Sequence, residues 1–291
     1  MSGNIGLPSS ERGTWQFTVN YDWNSLETLK AGSERLDDDT RRRETHSVLL
    51  ESGYSITDRL SVDAFFSFVR QERTISQQGL AEDFTSTQGV GDAVILLKYK
   101  TKPGLVVGGG LKLPLGSANR TKDGGLPLNA DLQPGSGALD YILYANFQRE
   151  FTARPTLVFS STAIHRFTGT NNEYLGSSSY SFGNETQAIV GLADRLLIGR
   201  TFLDPSVRLR FRKAGRDRFD GADFPASGGN FLFINPGLSL AMSSSISFQT
   251  NIELPIYAEV YDTQLSPTIR INTGFHFSFT RKPPIEVIQL N

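Results

Sequence analysis

Three arginines occupy alternate positions in the second half of the chain, at Arg208, Arg210 and Arg212. In a β-strand, residues two apart point to the same face, so these side chains would form a row of positive charge. Like charges placed side by side contribute poorly to stability. We therefore interpret the row as the best candidate for a functional site, in which it orients the polar end of a solute, as charged rings do in pores.

Other ionisable residues occupy the polar alternate positions of further predicted strands, which face the interior if the strands form the closed barrel predicted below. The positive ones are Arg200, Lys98 and Lys112, and the acidic ones are Glu51, Asp63, Asp92, Asp140, Glu185 and Glu253. Two interpretations compete. The charges form buried ion pairs that brace the interior, because an unpaired interior charge costs several kcal/mol, or they form a selectivity filter. Our candidates for the lumen and its selectivity are Arg200, Arg208, Arg210, Arg212, Lys98, Lys112, Asp63, Asp140 and Glu253.

Other kinds of chemistry have weaker support. His46, His165 and His276 lie on separate segments without the spacing of metal ligands, so we predict structural roles and no metal site. The chain has no Cys, which excludes thiol nucleophiles and thiolate metal sites. His276 and Ser278 resemble the His-x-Ser pair of the outer-membrane phospholipase barrel, but the surrounding residues do not match. We predict that the protein is not an enzyme and needs no cofactor.

Both ends of the chain alternate strictly between apolar and polar residues. The apolar sets are Ile269, Ile271, Phe275, Phe277 and Phe279 at one end, and Trp15, Phe17, Val19, Tyr21 and Trp23 at the other. Alternation with a period of two gives a β-strand one apolar and one polar face. Because the first and last strands both carry an apolar outer face, we predict a closed barrel in lipid.

Similar segments recur along the chain and give about twelve strands, an even count as in bacterial outer-membrane barrels. Only the segment from Thr156 to Phe167 has no clearly apolar parity. Tight joints are predicted at Thr57–Arg59, Thr101–Gly104, Thr152–Pro155, Asp194–Arg195 and Met242–Ser245. Between them lie longer polar stretches at Ser25–Arg43, Gln71–Gln88, Gly116–Ser136, Gly169–Ser179, Ala214–Gly229 and Tyr261–Ser266. Alternating short and long connections are typical of short periplasmic turns and long extracellular loops.

We predict one transmembrane domain over residues 13–279, between periplasmic segments 1–12 and 280–291. The C-terminal segment contains Pro283 and Pro284, which cannot continue a strand ladder. Residues 1–12 contain no apolar signal-peptide core, although a barrel must be secreted. We therefore expect that the native signal has been removed and replaced by an initiator Met.

Composition excludes a helical membrane protein and gives no indication of a nucleic-acid-binding one. Of the 291 residues 38% are hydrophobic, the mean hydropathy is -0.25, and the longest wholly apolar stretch, Ala93 to Leu97, is far short of the ~18 residues of a membrane helix. The formal net charge of -1 gives no bulk attraction to nucleic acid.

Five local strings resemble, in order, an outer-membrane barrel family. They are GVGDAVILLKYK (89–100), GLKLPLG (110–116), LQPGSGALDY (132–141), NPGLSL (235–240) and ELPIY (253–257). The family is labelled "MetA-pathway of phenol degradation", and the likeness spans roughly residues 89–279. It implies a barrel that helps small, often aromatic, compounds cross the outer membrane, and it implies no catalytic residues.

We therefore predict an all-β, transmembrane, antiparallel up-and-down β-barrel that is monomeric and lies in the bacterial outer membrane, in contact with lipid and lipopolysaccharide. Its predicted function is that of a porin-like channel for passive uptake of small organic molecules, with aromatic, amphipathic or anionic solutes as candidates. The alternative is a structural barrel that anchors or sheathes a partner protein complex, bound at the loops or at the periplasmic ends.

Overall fold

The computed structural model describes residues 11–76, 81–122 and 125–280. Twelve strands form a barrel wall, numbered here β1 to β12: Thr14–Ala31, Arg41–Ser55, Leu60–Ile75, the interrupted strand Asp83–Val90 with Ala93–Lys102, Leu105–Leu113, Asp140–Phe151, Arg154–Phe167, Glu185–Ala193, Thr201–Ala214, Gly229–Ala241, Ile246–Val260 and Thr263–Thr280. Two short pieces extend the wall: Glu34–Arg35 pairs with β1, and Leu196–Ile198 pairs with β9. No helix in the described residues is long and apolar enough to cross a membrane.

The wall closes on itself. Each strand pairs antiparallel with its neighbours in the sequence, and β1 pairs with β12 from Thr14 opposite Thr280 to Ala31 opposite Thr263. Closure leaves no sheet edge with unpaired backbone groups, which is what a β-structure in lipid requires. The predicted fold of about twelve antiparallel strands is therefore confirmed.

The two faces of the wall differ as the alternation predicts. On β1, the side chain of Thr14 points inward and is 1% exposed, whereas that of Trp15 points outward and is 45% exposed. The same contrast separates inward Gln16 from outward Phe17. An apolar exterior around a polar interior is the arrangement of a membrane barrel, because only alternate residues contact lipid.

The segment of ambiguous parity is strand β7. Its inward face carries both polar and apolar side chains, among them buried Thr162 and Ile164, and its outward face includes the polar Ser161 and His165. Ile164 packs into an apolar cluster inside the barrel. The period-two signal is weak here because the interior itself is locally apolar.

Most connections alternate in length as predicted, but several are shorter than expected. The expected loop Tyr261–Ser266 is only a two-residue turn at Tyr261 and Asp262, since β11 runs to Val260 and β12 starts at Thr263. Asp262 has a φ of 58°, in the left-handed region that tight hairpins use. Other predicted loops are shortened too: β3 continues to Ile75 and the next strand begins at Asp83. These segments are polar on both faces, and they can still pair as strands because both faces meet water there.

Three outer connections have structure of their own. A four-stranded outer sheet consists of Asn171–Tyr174, Ser178–Ser181, Arg218–Phe219 and Ala222–Asp223. The connection of residues 114–139, here called the inner loop, contains a 3₁₀ turn at Ala130–Leu132. Ala130 packs against Tyr174 and Tyr180 of the outer sheet, so the inner loop and the outer sheet form one cap.

The first wall strand begins at Thr14 and the last ends at Thr280, and the domain bounds 13–279 stay a prediction. Residues 1–10 and 281–291 lie outside the described residues. The periplasmic placement of both terminal segments stays a prediction.

Candidate functional site

One side of the barrel interior is filled by apolar side chains. Val94 and Leu96 of β4, Ile142 and Tyr144 of β6, and Ile164 of β7 form a buried cluster. Phe65 of β3 and Val106 of β5 pack against its edge. Because these apolar side chains are buried against one another, they exclude water from the β4–β7 side of the interior.

A buried ion pair lies beside this cluster. The Nζ atom of Lys98 is 2.7 Å from Oδ2 of Asp63, and the two side chains are only 2% and 1% exposed. Two charges this deep are compatible with folding only when each compensates the other. For these two candidates, the geometry favours the bracing interpretation.

Lys112 connects the wall to the inner loop. Its Nζ atom is 2.7 Å from Oδ2 of Asp92 and 3.3 Å from Oδ2 of Asp140, and it donates a hydrogen bond of 2.8 Å to the carbonyl of Ala138. Asp92 accepts hydrogen bonds from the backbone N–H groups of Gly116 (3.2 Å) and Ser136 (3.0 Å). Lys112 and Asp92 therefore hold both ends of the inner loop against the wall.

The middle of the inner loop lies inside the barrel mouth. Leu132 is fully buried, and its carbonyl accepts a hydrogen bond of 2.6 Å from the hydroxyl of Thr87 on β4. The carbonyl of Gln133 accepts one of 3.0 Å from the side-chain amide of Gln71 on β3. These inward-facing partners mean that the loop narrows the outer end of the barrel.

Two of the three arginines in the predicted row are paired. Arg210, which is 5% exposed, donates from Nε to Oε2 of Glu253 at 2.8 Å and lies over the ring of Phe233. Arg212 donates from Nε and Nη2 to Oε2 of Glu185, at 3.0 and 2.8 Å. The row is therefore stable because each of these cations has its own carboxylate.

Arg208 differs from both. It also lies on the inward parity of β9 and lines the interior cavity, but within the described residues its side chain takes part in no hydrogen bond or ion pair. The prediction for Arg200 is wrong. Leu196–Ile198 folds back onto the start of β9, and Arg200 is exposed in the turn between the two pieces. Gly199, with a φ of 64°, permits that turn.

The open side of the interior holds a cavity of about 650 Å³. Strands β1–β3 and β9–β12 supply most of its lining. Asp22 lines it and is paired with Arg270 through two contacts of 2.8 Å. Asp204 also lines it and accepts two hydrogen bonds from Arg195, at 2.9 and 2.7 Å. Carboxylates at this wall are thus largely neutralised by neighbours.

Several of these residues were not predicted from the sequence. Asp22 and Arg270 are on the predicted inward parity, but nothing in the sequence pairs positions 248 residues apart. The inner loop contains no periodic signal and was expected to be an ordinary external loop. Once the barrel is closed, the register between β1 and β12 places Asp22 opposite Asn272, beside Arg270.

A further cluster of possible metal ligands lies on the barrel wall. Ligand atoms of Glu44, His46 and Glu72 are all within 4.8 Å of one another, a grouping that the spacing of histidines did not predict. Glu44 is 2.6 Å from Arg42, and Glu72 is paired with Arg70. Because an arginine neutralises each carboxylate, ion pairing accounts for this arrangement.

Comparison with known proteins extends the description of the fold. No protein-family model and no curated protein sequence matches the chain. An outer membrane channel from Pseudomonas putida F1 has a similar structure, with a TM-score of 0.70, 18% identity, and coverage of 94% of this chain and 97% of the channel. The β-domain of the Bordetella autotransporter BrkA follows, with a TM-score of 0.54, 11% identity, and coverage of 90% and 99%. The chain therefore has the fold of outer-membrane barrels.

Proposed function

We propose that the protein is a channel of the bacterial outer membrane through which small organic molecules diffuse passively. A closed wall with an apolar exterior supports residence in a lipid bilayer. The likeness of fold to an outer membrane channel supports both the location and the channel function. The absence of a family match leaves the phenol-degradation label as a resemblance of local strings only.

The observation that carries this proposal is the cavity of about 650 Å³ inside the wall. Barrels of about eight strands have filled interiors, and those of 16–18 strands hold wide aqueous channels. A barrel of twelve strands lies between them, and a cavity of this size falls in the range of about 300–1,000 Å³ that accommodates small molecules. It fits a narrow, selective pathway.

The finer part of the proposal is that the solutes are aromatic or amphipathic, and anionic. Polar side chains such as Asn20 and Gln249 line the cavity together with apolar ones such as Leu49 and Val69. A mixed lining suits a molecule with one apolar and one polar part. The resemblance to a family linked with phenol degradation supports the same class.

Transport into liposomes tests the proposal. The purified, folded barrel is reconstituted, and swelling is compared in isotonic benzoate and in a large oligosaccharide, alongside single-channel conductance in a planar bilayer. We expect swelling in benzoate and little in the oligosaccharide. An intact barrel that passes neither ions nor benzoate would refute the channel and leave the structural role as the remaining alternative.

A further inference from the structure

One charged side chain in the cavity lacks the partner that its neighbours have. Arg210 and Arg212 are each bound to a carboxylate, whereas the side chain of Arg208 has no hydrogen bond or ion pair among the described residues. Its position in the middle of β9 keeps it inside the wall and away from bulk water at the ends. A half-buried guanidinium that lines a cavity without a counter-ion is a ready site for an anion.

The wall next to Arg208 leaves room for its side chain. Gly191 of β8 is directly opposite Arg208, and a Cβ atom at that position would lie 2.7 Å from Cγ of Arg208. Any larger residue at position 191 would therefore displace the guanidinium. Two inward positions on one side of Arg208 are small, since Ser206 on β9 and Gly237 on β10 both line the cavity. Asn235 lies directly opposite Arg208 on β10. A ligand can therefore approach the guanidinium from the side of Ser206 and Gly237.

Carboxylates in the same cavity do not supply the missing counter-ion. Asp22, Asp92 and Asp204 are bound to Arg270, Lys112 and Arg195 respectively. Glu51 also lines the cavity and has interactions of its own. Three of the cavity's carboxylates thus have cationic partners of their own, and Arg208 is not among those partners.

The opposite wall carries an apolar patch among polar side chains. Strands β3 and β9 are six positions apart in a ring of twelve, so they face each other across the interior. Phe65 and Val69 of β3 and Leu49 of β2 form the patch, and Glu51 and Ser67 line the cavity beside it. A ligand that spans the cavity therefore meets a cation at one end and this apolar patch at the other.

We propose that Arg208 is the anion-binding residue of the cavity, and that the site takes small monocarboxylates with an apolar body, such as aromatic acids. This inference rests on the proposed channel function and narrows it. The carboxylate accepts paired hydrogen bonds from the guanidinium while the ring packs against the β2–β3 wall. Arg210 and Arg212 brace the wall and take no part in recognition.

Binding of sodium benzoate to the detergent-solubilised barrel tests the site, measured by isothermal titration. We expect Arg208→Gln to weaken benzoate binding at least about tenfold, because charge-assisted hydrogen bonds are lost. Arg208→Lys should lose less, since it keeps the charge but not the planar fork. Benzyl alcohol, which has the ring without the charge, should bind equally to all three proteins.

Two further variants test whether the loss of binding is specific to Arg208. Arg200→Gln removes an arginine from the exposed turn before β9 and should leave benzoate binding unchanged. Gly191→Val retains Arg208 but displaces it, so benzoate binding should fall as in Arg208→Gln. Each variant is first checked for the folded, heat-modifiable band of an intact barrel in SDS. If Arg208→Gln does not fold, Arg208→Lys and Gly191→Val carry the test.

Different results would refute the anion site and the channel function. A wild-type barrel that conducts ions but binds benzoate no better than benzyl alcohol would overturn the anion site and leave the channel standing. Equal loss of binding in Arg208→Gln and Arg200→Gln would overturn it as well. Benzoate binding that depends on Arg208, in a barrel without conductance or swelling, would support the site and refute the channel.

Discussion

At Glu253 a single carboxylate holds the guanidinium of Arg210 inside the barrel, where the side chain of Gln187 and the ring of Phe233 complete its surroundings. We expect Glu253→Gln to destabilise the barrel by about 3–5 kcal/mol, because it leaves a buried cation without its counter-ion. Urea unfolding of the protein in lipid vesicles, followed by tryptophan fluorescence, measures this loss.

The control for this variant is Glu150→Gln, which makes the same chemical change at an exposed position of β6. Surface carboxylates contribute little, so the expected change is within about 0.5 kcal/mol. A Glu253→Gln barrel as stable as the Glu150→Gln barrel would mean that water reaches Arg210, and the bracing interpretation would be wrong.

At the scale of residues, the sequence predicted the row of arginines but could not assign their partners. Parity alone places Arg208, Arg210 and Arg212 on one face. Their counter-ions come from other strands: Glu253 is 43 positions away from Arg210, and Glu185 is 27 positions away from Arg212. Only the register between strands decides that two of the three arginines are neutralised. Arg200 was misplaced because a glycine turn breaks the strand just before β9.

The inner loop is held to the wall chiefly through Asp92, which accepts hydrogen bonds from Gly116 and Ser136 and pairs with Lys112. We expect Asp92→Ala to release the loop from the barrel mouth. Single-channel conductance should then rise, because the loop narrows the outer end. The comparison is made between wild-type and variant barrels in planar bilayers at the same salt concentration.

Asp83→Ala is the matched control, because Asp83 also binds the inner loop, through Lys122. Both partners in that pair are largely exposed, and such surface pairs contribute about 0–1 kcal/mol. Its conductance should equal that of the wild type. If neither variant changes conductance, the inner loop does not limit passage.

The carboxyl group of Asp217, which lies beside the outer sheet, has a protonation that is coupled to folding. Burial raises the pKa of Asp217, although the hydroxyl of Tyr180 (2.7 Å) and the N–H of Gly183 (2.8 Å) donate hydrogen bonds to it and act in the opposite direction. The folded cap therefore binds this proton more tightly than the open cap does. Its stability is greatest in acid and decreases as the pH rises from about 4, the unfolded value, through the raised folded value.

Hydrogen exchange of the amides in residues 171–184 measures this effect, after correction for the intrinsic pH dependence of exchange. Protection should decrease across that pH interval in the wild type and stay nearly level in Asp217→Asn. Asp223→Asn changes an exposed carboxylate of the same sheet and should behave as the wild type does. A level profile in the wild type would contradict the assignment.

At the scale of elements, the sequence predicted the barrel strands well because each one alternates between lipid and interior. It did not predict the inner loop or the outer sheet. Residues such as Leu132 and Gln133 are buried by contacts with distant strands, through Thr87 and Gln71, and a polar, aperiodic segment gives no sign of this. The length of the turn at Tyr261 and Asp262 was overestimated, because the polar residues at the start of β12 resemble part of a loop.

Barrel closure depends on close packing between β1 and β12. A Cβ atom at Gly274 would lie 2.1 Å from the carbonyl oxygen of Val19 on the paired strand. We expect Gly274→Ala to force the two strands apart and to cost about 1–3 kcal/mol, as overpacking does. A smaller yield of heat-modifiable barrel in SDS, and a lower urea midpoint, would report the loss.

Gly109→Ala serves as the control, since its nearest neighbour would be the carbonyl oxygen of Ile142 at 3.8 Å, an ordinary contact. This variant should fold as the wild type does. Equal behaviour of the two variants would show that the β1–β12 pairing tolerates a side chain at position 274, contrary to the geometry.

For the molecule as a whole, closure followed from the apolar outer faces of the first and last strands, and the β1–β12 pairing confirms it. How the interior is filled did not follow. Val94, Leu96 and Ile142 stand on the parity that also carries Lys98 and Asp140, and a mixed parity is compatible with an open or a packed lumen. The distribution of large side chains among neighbouring strands decides between them.

The apolar cluster of β4–β7 fills one side of the interior and leaves the free space against the other. The free space is therefore off-centre, and its width is the gap between the cluster and the far wall. For the proposed channel, we expect a planar ring to enter such a space edge-on more readily than a rounder molecule of equal mass. The barrel would then sort its solutes by thickness before it sorts them by molecular weight.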